Sequence, residues 1–219
     1  MPSCFHRKAI RPISFLFPTR IQTGTKIAIF QVVNEMENNR WNKVTASRLV
    51  GFAIGMGLFL LLVLKSEPGF VFLVDHANLL FHEAGHPIVG LFSRRLETYG
   101  GTLGQLVFPV VLAISFWRKG ESLSFAGSVV WFFENWLNIA RYMADARAQE
   151  LPLVGGGDHD WANIFGRWGL MAHDTQIAAA VQAIAWVGIG AACLWVVWRW
   201  WRGRGPTGEP AAQMQGFGF

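Results

Sequence analysis

His82-Glu83-Ala84-Gly85-His86 is a short string whose residue types and spacing suggest chemistry. Residues four apart on a helix project from nearly the same face, one turn above the other. Two imidazoles set that way can reach one Zn²⁺ at about 2.0–2.1 Å each. Glu83 lies beside them on the helix surface, able to take a proton from an activated water without being a ligand. This is the H-E-x-x-H arrangement of zinc hydrolases, in which the metal makes a nucleophile near neutral pH and the carboxylate acts as general base.

A hydrolytic zinc needs a third protein ligand and an open position for water. His159, between Asp158 and Asp160, is of the type most often used, and a neighbouring carboxylate could orient it. Asp145 is its rival, since it ends a polar stripe on a later apolar run. The plainer reading of Asp158-His159-Asp160 is an exposed loop following three glycines.

The elements that must carry these residues are apolar. Of 219 residues, 52% are hydrophobic and 15% charged, against about 45–50% and about 25% for an ordinary soluble domain. The apolar residues form long runs rather than amphipathic stripes, which points to a chain dissolved in lipid. The net charge of +5 does not imply nucleic acid, because Arg and Lys sit at the ends of the runs and in the tails, as in membrane proteins. Cys4 and Cys193 lie too far from any cysteine partner pattern to build a disulfide framework or a cysteine zinc cluster.

Residues 1–48 carry Arg7, Lys8, Arg11, Arg20, Lys26, Arg40, Lys43 and Arg48 against Glu35 and Glu37. They read as a basic cytoplasmic tail without a signal peptide, and Met36 offers an alternative start. A membrane domain is expected over 49–202, followed by a disordered tail over 203–219. Its first span, Leu49 to Leu64, is a plain anchor. The second, Phe70 to Phe92, carries Asp75, His76, His82, Glu83 and His86; ionisable residues at such depth are costly and usually functional. Pro87 removes the amide that would bond the Glu83 carbonyl, so the helix bends or ends there.

The third run opens on Gly100-Gly101 and holds Pro109, so it spans or re-enters. The fourth, Leu123 to about Ala144, sets Glu134, Asn138, Arg141 and Asp145 on one stripe, which should face protein. That stripe either contacts a substrate or forms a buried structural network. Gln105 could hold an extended peptide or merely pack a loop. A polar connection, Arg147 to Asp174, leads to the last span, about Ile177 to Val197, which ends in the interfacial anchor Trp198-Arg199-Trp200-Trp201-Arg202. His76, His173 and Asp174 receive no role.

Phe81-His82-Glu83-Ala84-Gly85-His86 in an apolar helix, followed by a glycine-containing segment and later polar helices, resembles the site-2 protease class of membrane metallopeptidases. The resemblance is specific over 81–86 and loose over about 70–160. It implies that His82 and His86 hold zinc, that Glu83 is the catalytic base, and that the reaction is peptide-bond hydrolysis in or near the bilayer, on a membrane-protein or peptide substrate. It also implies an Asp third ligand within an Asn-Pro...Asp-Gly type motif, and no such string occurs here.

The expected fold is an all-α polytopic membrane helix bundle with about five transmembrane helices, or four plus one re-entrant segment. Four crossings satisfy the positive-inside tendency better. Five put residues 145–174 on the same side as His82 and His86, where His159 or Asp145 can meet the metal, and five is therefore the topology preferred.

Overall fold

The computed structural model describes residues 40–65, 72–153 and 158–204, which are mainly helical, with no strand among them. The expected alternative start at Met36 and nearly all of the expected C-terminal tail lie outside the described residues. The helices are α1 (Ala46–Lys65), α2 (Phe72–Gly90), α3 (Glu97–Lys119), α4 (Ser122–Ala144), the short α5 (Asp160–Trp168) and α6 (Asp174–Arg202), with one 3-10 turn at Met171–His173.

Among the described residues, three segments are long and apolar enough to cross a membrane by length and composition: α1, α3, and Met171–Arg202, which includes α6. No residue of α1 is buried by the rest of the protein. The expectation of about five spans therefore divides. Two helices of comparable length, α2 with 19 residues and α4 with 23, carry polar side chains that face each other and the site. The third run is one continuous helix with its glycines and Pro109 inside it.

Those glycines are the reason α2 and α3 pack so closely. A Cβ built on Gly85 would run into the carbonyl oxygen of Gly100, and one on Gly104 into the carbonyl oxygen of Phe81. Gly100 and Gly104, one turn apart, thus let two helix backbones touch, the small-xxx-small packing used where both surroundings and side chains are apolar. At the far end of α3, Gly120 adopts φ 72° and its amide caps the carbonyls of Phe116 and Trp117, which reverses the chain into α4.

The segment expected as a polar connection contains a helix instead. Trp161, Ile164 and Phe165 recur at i, i+3 and i+4 on α5, an apolar face that nine residues suffice to display. They pack with Ile139, Met143 and Ala146 from the end of α4 and with Ala178 of α6. Burying Ile164 and Phe165 contributes roughly 1.5–3 kcal/mol each relative to exposure in water. This core fixes the N-terminus of α5 against the end of the bundle where α2 finishes and α3 begins.

Candidate metal centre

His82 and His86 project from one face of α2 with ring centroids 4.9 Å apart. His82 is 8% exposed, and it fits only because its neighbour on α3 is glycine: a Cβ on Gly101 would strike the His82 ring. Pro87 does not end the helix, since α2 continues to Gly90.

The carboxylate that meets the two imidazoles is that of Asp160, the first residue of α5. Its Oδ2 lies 3.0 Å from His82 Nε2 and 3.2 Å from His86 Nε2. One donor atom from each of His82, His86 and Asp160 lies within 4.8 Å of the others, a group able to hold a metal ion. Donors at about 2.0–2.1 Å from a tetrahedral ion are separated by about 3.3 Å, so the two carboxylate separations fit such an ion.

The hydrogen bonding of His86 adds a chemical argument. Its Nδ1 lies 2.9 Å from the carbonyl oxygen of Glu97. A carbonyl only accepts, so Nδ1 carries the proton. In a neutral imidazole the Nε2 lone pair then points at Asp160 Oδ2, itself an acceptor, and two lone pairs 3.2 Å apart repel. Either a second proton or a cation must sit between them. The Glu97 carbonyl also fixes ring orientation in the manner typical of ligating histidines.

His159 and Asp145, the two residues expected to supply the third ligand, are placed elsewhere. His159 caps α5: its Nδ1 accepts from the Ala162 amide at 3.2 Å. Its Nε2 faces Asp145 Oδ2 at 3.3 Å. Asp145 in turn accepts from the amides of Glu150 and Leu151 at 3.0 and 3.1 Å, closing the turn that follows α4. The cap takes Nδ1 and Nε2 faces Asp145, both within the connection, and at 2% exposure burial pushes the His159 imidazole pKa below the ordinary histidine range, against the opposing pull of Asp145. The pair acts on the site indirectly, by holding the chain that presents Asp160.

Tyr142 completes that support. Its hydroxyl accepts from the Asp160 amide at 3.2 Å, and its ring stacks on His159 with centroids 4.1 Å apart. In the sequence alone Asp160 reads only as a carboxylate that could orient His159, and Tyr142 is not singled out at all. The amphipathic run from Trp161 was the available signal, because it makes His159 a cap and leaves Asp160 at the first helical position.

Of the polar stripe on α4, Glu134 and Asn138 pack against α2. Asn78 donates to Glu134 Oε2 at 2.8 Å and accepts from Trp131 Nε1 at 2.8 Å, while Asn138 donates to Asp75 Oδ1. Asp174 accepts from Arg147 Nε at 2.7 Å, tying the start of α6 to the end of α4. Glu83, Arg141 and Gln105 line a cavity of about 770 Å³ that also includes His82, His86 and Asp160 in its wall. Glu83 is half-buried there, next along the helix from His82.

Compared with protein families, curated proteins and solved structures, the chain matches none.

Proposed function

We propose that this chain is an integral membrane zinc hydrolase that cleaves peptide bonds, similar in its chemistry to the site-2 protease class. The observation that carries the reading is the meeting of His86 Nε2 and Asp160 Oδ2 at 3.2 Å while the opposite nitrogen faces a carbonyl. Two imidazoles and one carboxylate are a donor set suited to zinc, with a fourth position left for water. When bound, the ion supplies Lewis acidity, lowering the pKa of water and polarising a substrate carbonyl.

The chain's own residues do the rest. His82, His86 and Asp160 hold the ion; Glu97, Gly101 and Tyr142 orient them. Glu83 takes a proton onto its carboxylate and returns it to the leaving amine. The cavity of about 770 Å³ falls in the range of small-ligand sites, about 300–1,000 Å³, room for a short stretch of extended chain.

Five crossings with a cytoplasmic N-terminus accompany this reading. The end of α2, the start of α3 and the end of α4 supply residues that line the site, an arrangement that antiparallel crossings would give. A transporter with the polar stripe lining a pathway is a weaker alternative, because Glu134 and Asn138 are engaged by α2.

The test uses purified full-length protein in detergent, loaded with zinc and incubated with hydrophobic transmembrane peptides, with products read by mass spectrometry. Wild type cleaves; Glu83→Gln keeps its zinc and loses about 10²–10⁴ in rate. Cleavage by Glu83→Gln at the wild-type rate removes the proposed base. A zinc-loaded wild type that acts on lipid esters and not on peptides redirects the chemistry.

A further inference from the structure

A second, smaller cavity of about 280 Å³ adjoins the first. Val89, Leu96, Leu103 and Ile164 give it apolar walls. Thr102 and Trp161 belong to both cavities, so they form the wall between them. On that shared wall, Trp161 Nε1 and Thr102 Oγ1 are buried and have no hydrogen-bond partner among the described residues. Trp161 as a whole is only 6% exposed.

The neighbouring indoles are satisfied: Trp131 Nε1 donates to Asn78 at 2.8 Å and Trp168 Nε1 to the Tyr99 hydroxyl at 3.1 Å. Leaving a buried donor unpaired costs about 1–3 kcal/mol, a cost relieved when a ligand brings the missing acceptor. Trp161 follows the ligand Asp160 in sequence, and Thr102 follows Gly101, which seats His82. One turn beyond Thr102, on the same face of α3, the buried Gln105 lines the larger cavity.

We propose that Thr102, Gln105 and Trp161 form a subsite for the main chain of an extended peptide, and that the smaller cavity receives an aliphatic side chain of that peptide. A peptide unit offers both a carbonyl and an N–H. The wall matches both, with the indole as donor only, the hydroxyl as donor or acceptor, and the Gln105 amide as both at once. A lipid ester offers acceptors alone and leaves the Gln105 oxygen without a donor. A hydrogen-bonding chain bearing a short apolar branch is what a polar cavity and an apolar one, joined at a donor-lined wall, accommodate. The assignment deepens the hydrolytic reading and takes from it only the orientation of the peptide toward Glu83.

The test is equilibrium binding to full-length Glu83→Gln protein in detergent, which removes turnover, with zinc content measured on the same samples. The probes are dansyl-dileucine amide, dansyl-diglycine amide, the dileucine analogue with its central amide replaced by an ester, and a fluorescent phospholipid. The dansyl sulfonamide, itself able to bind zinc, is common to the three peptide probes, so the differences among them read the subsite whether or not the metal is present.

The dileucine amide is expected to bind about tenfold more tightly than the diglycine amide. Thr102→Val, isosteric and half-buried, should weaken it about tenfold, as should Trp161→Phe. Leu103→Trp, at a half-exposed position, should narrow the apolar cavity and bring dileucine down to the diglycine level. Gln105→Leu should abolish the preference for amide over ester.

Equal binding of the two amides, or dileucine binding indifferent to Thr102→Val, overturns the proposal. Phospholipid binding that depends on Thr102 while dileucine binding does not also overturns it, and names lipid as the occupant. Zinc retained with no such preference sinks the subsite and leaves the metal reading standing; the preference without zinc does the reverse. Should Trp161→Phe fail to fold, Thr102→Val decides.

Discussion

Along α2, two polar groups lie about two turns apart and meet different partners. Near its start, Asp75 and Asn78 engage α4; further on, His82 and His86 engage α5. In the first group the Asn78 amide gives a hydrogen to Glu134 and takes one from Trp131, so both ends of its side chain are used, while the Glu134 and Asp75 carboxylates face each other. In the second, two imidazole nitrogens and a carboxylate oxygen converge, and the tautomer imposed by Glu97 turns one contact into acceptor against acceptor. Burial alone does not tell a structural polar cluster from a functional one; what sets the second apart is two imidazoles and a carboxylate converging on one point.

The contrast predicts separable consequences. Asp160→Asn should have the largest effect on metal, reducing about one equivalent of zinc to near none, because a carboxamide is a poor ligand; elemental analysis reads it. Gly101→Ala should follow, lowering zinc affinity about 10- to 100-fold by pushing the His82 ring out of place, measured by chelator competition. Asn78→Ala should leave zinc binding unchanged yet lower stability by about 1–3 kcal/mol, because Glu134 and Trp131 lose their partner; thermal unfolding in detergent reads it.

His159→Asn should show the least, since asparagine remains a good cap for α5. His159→Ala, without a cap, should destabilise by about 1 kcal/mol. If the Asn78 and Asp160 variants lost zinc equally, the distinction between the two groups would fail.

The helical class and the contribution of α2 to the centre were readable in the string from Phe81 to His86, because a fixed i, i+4 spacing survives folding unchanged. The role of the Gly100, Gly101 and Gly104 set was only half visible. Glycine reads as a breaker in a polar stretch, but between two apolar helices it is the residue that lets backbones touch. His159 and Asp145 stand out as third donor, and Asp160 does not, when ligand type is considered before local structure. A histidine just ahead of Trp161, Ile164 and Phe165 at helical spacing is in a capping position, and capping takes one of its nitrogens. Asp160, one residue on, points back toward α2. That convergence depends on α5 docking against α4 and α6, a contact between residues far apart in the chain.

The most direct test of the central claim is the zinc stoichiometry of purified full-length protein for wild type, Asp160→Asn and His159→Asn. One equivalent in wild type and in His159→Asn, with loss in Asp160→Asn, is the predicted result. A wild type that stays empty in excess zinc, or loss in His159→Asn with retention in Asp160→Asn, contradicts it.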